Sequence, residues 1–311
     1  MILNILFILV GVAAVLWGAD KMTDGAVSVA QRMNIPEIVI GLTIVAMGTS
    51  APELFVSMVS AIKGTPDLAV GNVVGSNIFN TLLIVGVAAM VAPMIIARST
   101  VLKDMPITLL SSVLLLLFCM DSYISRLDAL VLFAGFVAFM WYTVYLGKRG
   151  KAQVPENAAA PRPMWLSLLL IVIGLACLIL GSNLFVEGAT YIAASLGVSQ
   201  AVIGLTVVAG GTSLPELATS VVAARKGQSA IAIGNVIGSN VMNILMIVGI
   251  TGLISPMHIE GITTVDLSML IISVSLLWFF SFTRFKVERW EGGLLTLIFL
   301  GYMTWLVSNA L

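Results

Sequence analysis

The chain has 311 residues, of which 59% are hydrophobic and 10% charged, against roughly a quarter charged in an ordinary soluble domain. Mean hydropathy is +1.11. That composition excludes a soluble enzyme, a disordered protein and a nucleic-acid binder, and 15 basic against 15 acidic residues exclude a basic partner surface.

A bilayer core about 30 Å thick takes about 20 apolar residues per helix. Apolar runs on that scale predict ten spans, at about 1–18, 37–62, 69–92, 105–120, 127–146, 164–182, 199–224, 231–254, 263–283 and 291–309. The first run has no Lys or Arg ahead of it and reads as a true span, not a signal peptide. The second carries G-T-S-A-P-E at 48–53, and the third G-N-V-V-G-S-N-I-F-N at 71–80. Cys119 and Cys177 lie inside apolar runs and read as small packing residues, not as a disulfide or metal pair. The segment 147–163, with its charge, Pro and Ala content, reads as a short cytoplasmic linker. The seventh and eighth runs carry G-T-S-L-P-E at 211–216 and G-N-V-I-G-S-N-V-M-N at 234–243. The single His258 sits in a loop-like S-P-M-H segment and makes no zinc site.

Thirteen of the basic residues fall in odd-numbered connections between these spans. The positive-inside rule therefore puts those connections in the cytoplasm and both termini outside it, as expected of a multi-pass protein of the inner (plasma) membrane. The chain also repeats itself at a shift of 163 residues. Positions 39–93 and 202–256 align without a gap at 31 identities in 55 positions. Five spans per copy is an odd number, so the second copy enters the membrane from the opposite side. The expected fold is all-α and integral to the membrane: ten transmembrane helices as two inverted five-helix repeats, with helices broken at the midplane. Residues 1–146 form the first repeat, 147–163 the linker and 164–311 the second repeat. This architecture belongs to secondary transporters, which bind substrate near the midplane where the repeats meet.

Only Glu53 and Glu216 fall in the middle of apolar spans, and they are repeat equivalents. A carboxylate at bilayer depth is costly and marks function by default. Pro52 and Pro215 should break the same helices and free carbonyl oxygens, tolerated only where a cavity is lined or the backbone is buried. Thr49 and Glu53 share a helix face, as do Thr212 and Glu216. Asn72, Ser76 and Asn80 recur every four residues along the next span, and Asn235, Ser239 and Asn243 repeat that stripe. Helix–helix hydrogen bonding alone would also produce such stripes. Two carboxylates with hydroxyls, amide oxygens and freed carbonyls make an all-oxygen set with no His or Cys. Hard cations want that set, whereas zinc and copper want nitrogen or sulfur. Two carboxylates balance one divalent or two monovalent ions, a basis for competition between Ca2+ and Na+.

The paired G-T-S-x-P-E and G-N-x-x-G-S-N motifs resemble the alpha repeats of the sodium/calcium exchangers, in the cation/calcium antiporter superfamily. The resemblance covers nearly the whole chain and is closest to the compact prokaryotic members. It implies cation ligands at Glu53, Glu216, Thr49, Ser50, Thr212, Ser213, Ser76 and Ser239, at the backbone oxygens of Ala46 and Ala209, and at Asn80 and Asn243. Many members carry an aspartate at one of the last two positions. Here both are Asn, so the site holds less negative charge.

The function these features imply is antiport of Ca2+ against Na+ by alternating access. A Ca2+/H+ or other cation antiporter is the alternative within transport, although proton-coupled members carry G-N-x-x-E where this chain has G-T-S-x-P-E. A cation channel would carry flux without a counter-ion. An enzyme is not expected, since no nucleophile–base pair suits an intramembrane hydrolase. No cofactor, nucleic acid or obligate protein partner is implied; the partners are Ca2+ and Na+, with K+ left open, and the lipid bilayer.

Overall fold

The computed structural model describes residues 1–149, 162–197, 207 and 209–310. Its elements are helices apart from four two-residue strands. The first half holds α1 (Ile2–Met33), α2 (Glu37–Thr49), α3 (Ala51–Ile62), α4 (Pro66–Val91), α5 (Thr100–Cys119) and α6 (Arg126–Arg149). The second holds α7 (Met164–Ser195), α8 (Ala209–Thr212), α9 (Leu214–Arg225), α10 (Ser229–Ile254), α11 (Thr264–Arg284) and α12 (Arg289–Ala310). Eight helices among the described residues are long and apolar enough to cross a membrane, and the bent pair α2–α3 makes a ninth. The expected seventh span begins among residues outside those described, and α8 and α9 are its described part. Most of the expected linker, residues 150–161, lies outside them as well.

Helices α1 and α7 each run 32 residues, well past the expected ends at 18 and 182. The apolar run stops there, but the helical period does not. Ala19, Met22, Thr23, Ala26, Val29 and Ala30 continue one buried face. Asp20, Asp24 and Glu187 are consequently helical, not loop residues, which corrects the sequence-based placement of all but two acidic side chains at span ends or in loops.

The inversion is visible where these two helices meet. Gly11 lies against Gly181, Gly18 against Gly174, and Gly25 against Ser167, so one helix descends as its repeat equivalent climbs. Small residues every seventh position let the backbones touch. A Cβ on Gly18 would sit 2.6 Å from the Gly174 carbonyl oxygen, and one on Gly174 would sit 2.7 Å from both the Gly18 carbonyl and the Met22 N–H. Backbone atoms cannot give way as a side chain does. Gly174→Leu is therefore expected to separate α1 from α7 and lower stability by about 1–3 kcal/mol or more, the usual cost of overpacking. Thermal unfolding in detergent reads this, with Gly301→Leu as the control, since nothing lies within 4 Å of a Cβ there. An unchanged midpoint for Gly174→Leu would mean that the contact contributes little.

Helices α4 and α10 form the centre. Their most apolar stretches are 72% and 83% buried, against 22–39% in the other single-helix spans. The remaining helices turn Leu, Val and Trp side chains outward, including Leu9, Trp141, Leu180 and Trp290. Four short strands stitch the two halves together. Strand β1 (Met94–Ile95) pairs antiparallel with β4 (Lys286–Val287), and β2 (Tyr123–Ile124) pairs with β3 (Met257–His258). The 163-residue shift carries β1 onto β3 and β2 onto β4, so each bridge is the repeat image of the other. His258 belongs to one bridge and not to a loop, its ring 4.4 Å from that of Tyr123.

Candidate cation site

Two helix joints make the site. Ser50 separates α2 from α3 at φ −83°, ψ 7°, and Ser213 separates α8 from α9 at φ −91°, ψ 5°. The first joint bends the span by 47°. Pro52 and Pro215 fall in the first turn of the helices that follow, where a missing N–H costs nothing. The serine is therefore the break, and the proline starts the new helix. Ser-x-Pro-Glu has the spacing of a capping box, yet neither serine caps its own helix. Each reaches across to the other repeat instead. Ser50 Oγ donates to Glu216 Oε1 at 3.0 Å, and Ser213 Oγ donates to Glu53 Oε1 at 3.3 Å and lies 3.3 Å from Ser76 Oγ. Both glutamates are 1% exposed, and no ion pair among the described residues involves either.

The neighbouring helices hold the joints in place. The Asn72 amide donates to the Glu53 carbonyl at 3.2 Å and to Ser57 Oγ at 3.0 Å. Asn235 does the same for the Glu216 carbonyl at 3.3 Å and Ser220 Oγ at 3.0 Å. Thr49 Oγ1 donates to Asn235 Oδ1 at 3.0 Å, so the first repeat's hydroxyl also steadies the second repeat's clamp. The Ala46 carbonyl accepts from the Ser50 N–H at 3.0 Å and from Thr49 Oγ1 at 3.3 Å. Ala209 and Thr212 are the first and last residues of α8.

Asn80 and Asn243 lie in wide helical turns, Phe79–Ile84 and Asn243–Val248, which widen the ladder beside the joints. Their amide nitrogens are anchored across the repeat boundary. Asn80 Nδ2 donates to Asn240 Oδ1 at 3.2 Å, and Asn243 Nδ2 donates to Asn77 Oδ1 at 3.0 Å. That leaves both Oδ1 atoms buried without a protein partner. Glu53 Oε2, Glu216 Oε2 and Ser239 Oγ are in the same condition. Orphaned buried acceptors are rare and call for a ligand. Here several belong to one constellation and every one is oxygen, the donor set of a hard cation.

Asn77 and Asn240 were missed as functional residues in the sequence reading. They sit one position off the four-residue stripe, so helical periodicity does not select them. The signal was in the motif, since G-S-N occurs in both repeats at 75–77 and 238–240.

The family profile described as "Sodium/calcium exchanger protein" matches residues 3–146 and 166–308. The inner membrane protein YrbG of Escherichia coli is 36% identical over 286 residues, covering 88% of this chain and 87% of that one. The sodium/calcium exchanger MaX1 of Methanosarcina acetivorans is 33% identical over 340 residues, covering 96% of this chain and 97% of its own length. The solved structure of the sodium-calcium exchanger NCX_Mj, soaked with Na+ and Sr2+, superimposes with a TM-score of 0.86 at 33% identity over 97% of this chain and 98% of that one.

Proposed function

The chain belongs to the sodium/calcium exchanger family, and we propose that its two acidic joints hold Ca2+ and Na+ in turn while the halves alternate access around them. The protein is an integral membrane antiporter that exchanges Ca2+ for Na+. The observation that carries the assignment of the site is the reciprocal arrangement of the glutamates. Each has one carboxylate oxygen held by the opposite repeat's serine and the other left without a partner. A cation that draws on both free oxygens therefore ties residues 1–146 to residues 164–311, which makes occupancy and the relation between the halves one event. Ca2+ takes six to eight oxygens. The carboxylates, Ser239 Oγ and the Asn80 and Asn243 carbonyls supply five that nothing else uses, and Ser76, Thr49 and Thr212 stand beside them in the reading. Ca2+ and Na+ are cargo in this scheme, with no resident cofactor. The basic residues of the odd connections support both termini outside the cytoplasm, and the likeness to the inner membrane protein YrbG supports an inner-membrane location.

The test is 45Ca2+ uptake into Na+-loaded proteoliposomes, with Na+, K+ and pH gradients varied one at a time. Uptake should follow the outward Na+ gradient. Uptake that instead required a pH gradient would move the chain to the proton-coupled alternative.

The Asn pair supplies a sharper prediction. Asn80→Asp or Asn243→Asp adds a third carboxylate beside the ions. Neither aspartate can donate as the lost amide did, so Asn240 or Asn77 must turn its own amide to meet it. Each variant is expected to lower the apparent KM for Ca2+ by at least about tenfold, since a unit charge at about 4 Å and an intermediate effective dielectric is worth up to about 4 kcal/mol, less the cost of burying it. Unchanged Na+, K+ and Ca2+ dependences in both would remove these residues from contact with the ions.

A further inference from the structure

The site described above has an approach of its own. A cavity of about 670 Å3 lies between α7 and the joints, with Pro52 and Thr212 on one wall and Ser182, Asn183, Glu187 and Thr190 on the other. Pro52 and Thr212 are the chain neighbours of Glu53 and Ser213, so the cavity lies directly beside the site. The hydroxyls of Ser182 and Thr190 are buried and without a protein partner, Ser182 being 4% exposed. Glu187 is exposed, and its carboxylate makes no hydrogen bond or ion pair with the described residues.

The repeat supplies an independent observation. Glu187 and Asn183 are the counterparts of Asp24 and Asp20 on α1. Those two carboxylates hold a cation, and it is the protein's own. Lys226 Nζ lies 2.6 Å from Asp20 Oδ1 and 2.7 Å from Asp24 Oδ1, and Arg162 lies 3.2 Å from Asp24. Lys226 also donates to the Asp20 carbonyl at 3.0 Å. The same helical position thus gathers an ammonium in one repeat. In the other, Lys63, the counterpart of Lys226, is exposed and makes no ion pair with the described residues. The α1–α7 pairing sets Glu187 near the start of α1, roughly 19 residues or about 28 Å along the helix from Asp24, so the two positions serve opposite faces of the membrane.

We propose that Glu187, with Ser182, Asn183 and Thr190, forms a cation-recruiting station in this vestibule that collects Ca2+ and Na+ from one face of the membrane and feeds the joints. The inference rests on the exchange reading above. A single carboxylate over apolar walls focuses the field and raises the local cation concentration. It does so without contributing to the site itself, because Glu187 stands outside the set of oxygens at the joints. On the orientation proposed above, the vestibule opens to the outside.

The experiment is 45Ca2+ exchange in right-side-out and inside-out vesicles at low ionic strength, comparing wild type, Glu187→Gln and Asn183→Asp. Glu187→Gln should raise the apparent KM for Ca2+ on the vestibule side about 3- to 10-fold, at the low end of what focusing by a charged cleft supplies. Asn183→Asp, which restores the acid of its counterpart, should lower the KM on the same side. Maximal rate and the KM on the opposite face should stay as in wild type. Both shifts should vanish at about 1 M of an impermeant salt, where the screening length is about 3 Å. The proposal is overturned if wild type exchanges while both variants keep its KM at low ionic strength, or if KM moves equally on both faces. Absence of Na+-driven exchange in wild type would instead overturn the exchange reading.

Discussion

Glu53→Gln and Glu216→Gln are each expected to abolish Na+-driven 45Ca2+ uptake while leaving the protein folded. Glutamine keeps the shape and one carbonyl oxygen, so Ser213 can still donate to position 53 and Ser50 to position 216. The joints therefore persist. What is lost is one of two formal charges at a place where no Lys or Arg among the described residues forms an ion pair with either glutamate. One unit of charge at about 4 Å and an intermediate effective dielectric is worth about 4 kcal/mol, which is about a thousandfold in affinity. The amide nitrogen worsens matters, because the free Oε2 position becomes a donor aimed at the ion. Purified variants should elute as wild type does and take up Ca2+ at the rate of empty liposomes. Wild-type flux from either one would sink the assignment of the carboxylates. Because the two glutamates are reciprocal, the double variant should behave like each single one, and not twice as badly.

The glutamates could be read from sequence because a carboxylate inside an apolar run has no inexpensive structural explanation, and its recurrence 163 residues later removes chance. The inverted architecture followed from the same shift together with an odd number of spans. Other features follow from tertiary contacts that leave little trace in a single strand of sequence. The far ends of α1 and α7 were lost because hydropathy averages over a window, and Asp20, Asp24 and Glu187 dilute it, although in α1 the buried face continues through Ala30. The strands β1 to β4 escaped because two residues carry no periodicity; only pairing with the other repeat makes them strands. The serines resembled helix caps by spacing, and only the facing repeat turns them into donors to a distant glutamate. Asn77 and Asn240 point in the same direction: what a residue in one repeat does is decided by what the other repeat brings against it.

Asn240→Leu is therefore the test of how much the ions depend on residues that do not touch them. Asn240 Oδ1 accepts from Asn80 at 3.2 Å, and its Nδ2 donates to Thr81 Oγ1 at 2.7 Å. Leucine leaves a buried amide and a buried hydroxyl without partners, at about 1–3 kcal/mol each. It also frees the Asn80 amide to turn, so that a donor instead of Oδ1 can face the cation. Loss of a partner that orients a ligand typically costs about 10- to 100-fold in metal affinity, and Ca2+ exchange should fall accordingly, with the change in KM. A fall in stability alone could mimic this, so a second variant separates the two effects. Thr81→Val added to Asn240→Leu removes the orphaned hydroxyl, and the counterpart of Thr81 in the second repeat is already the apolar Ile244. The double variant should regain much of the lost thermal stability but not the affinity for Ca2+, because Asn80 remains unanchored. Recovery of both together would reduce Asn240 to a packing residue, and with it the claim that Asn80 presents its oxygen to the ion.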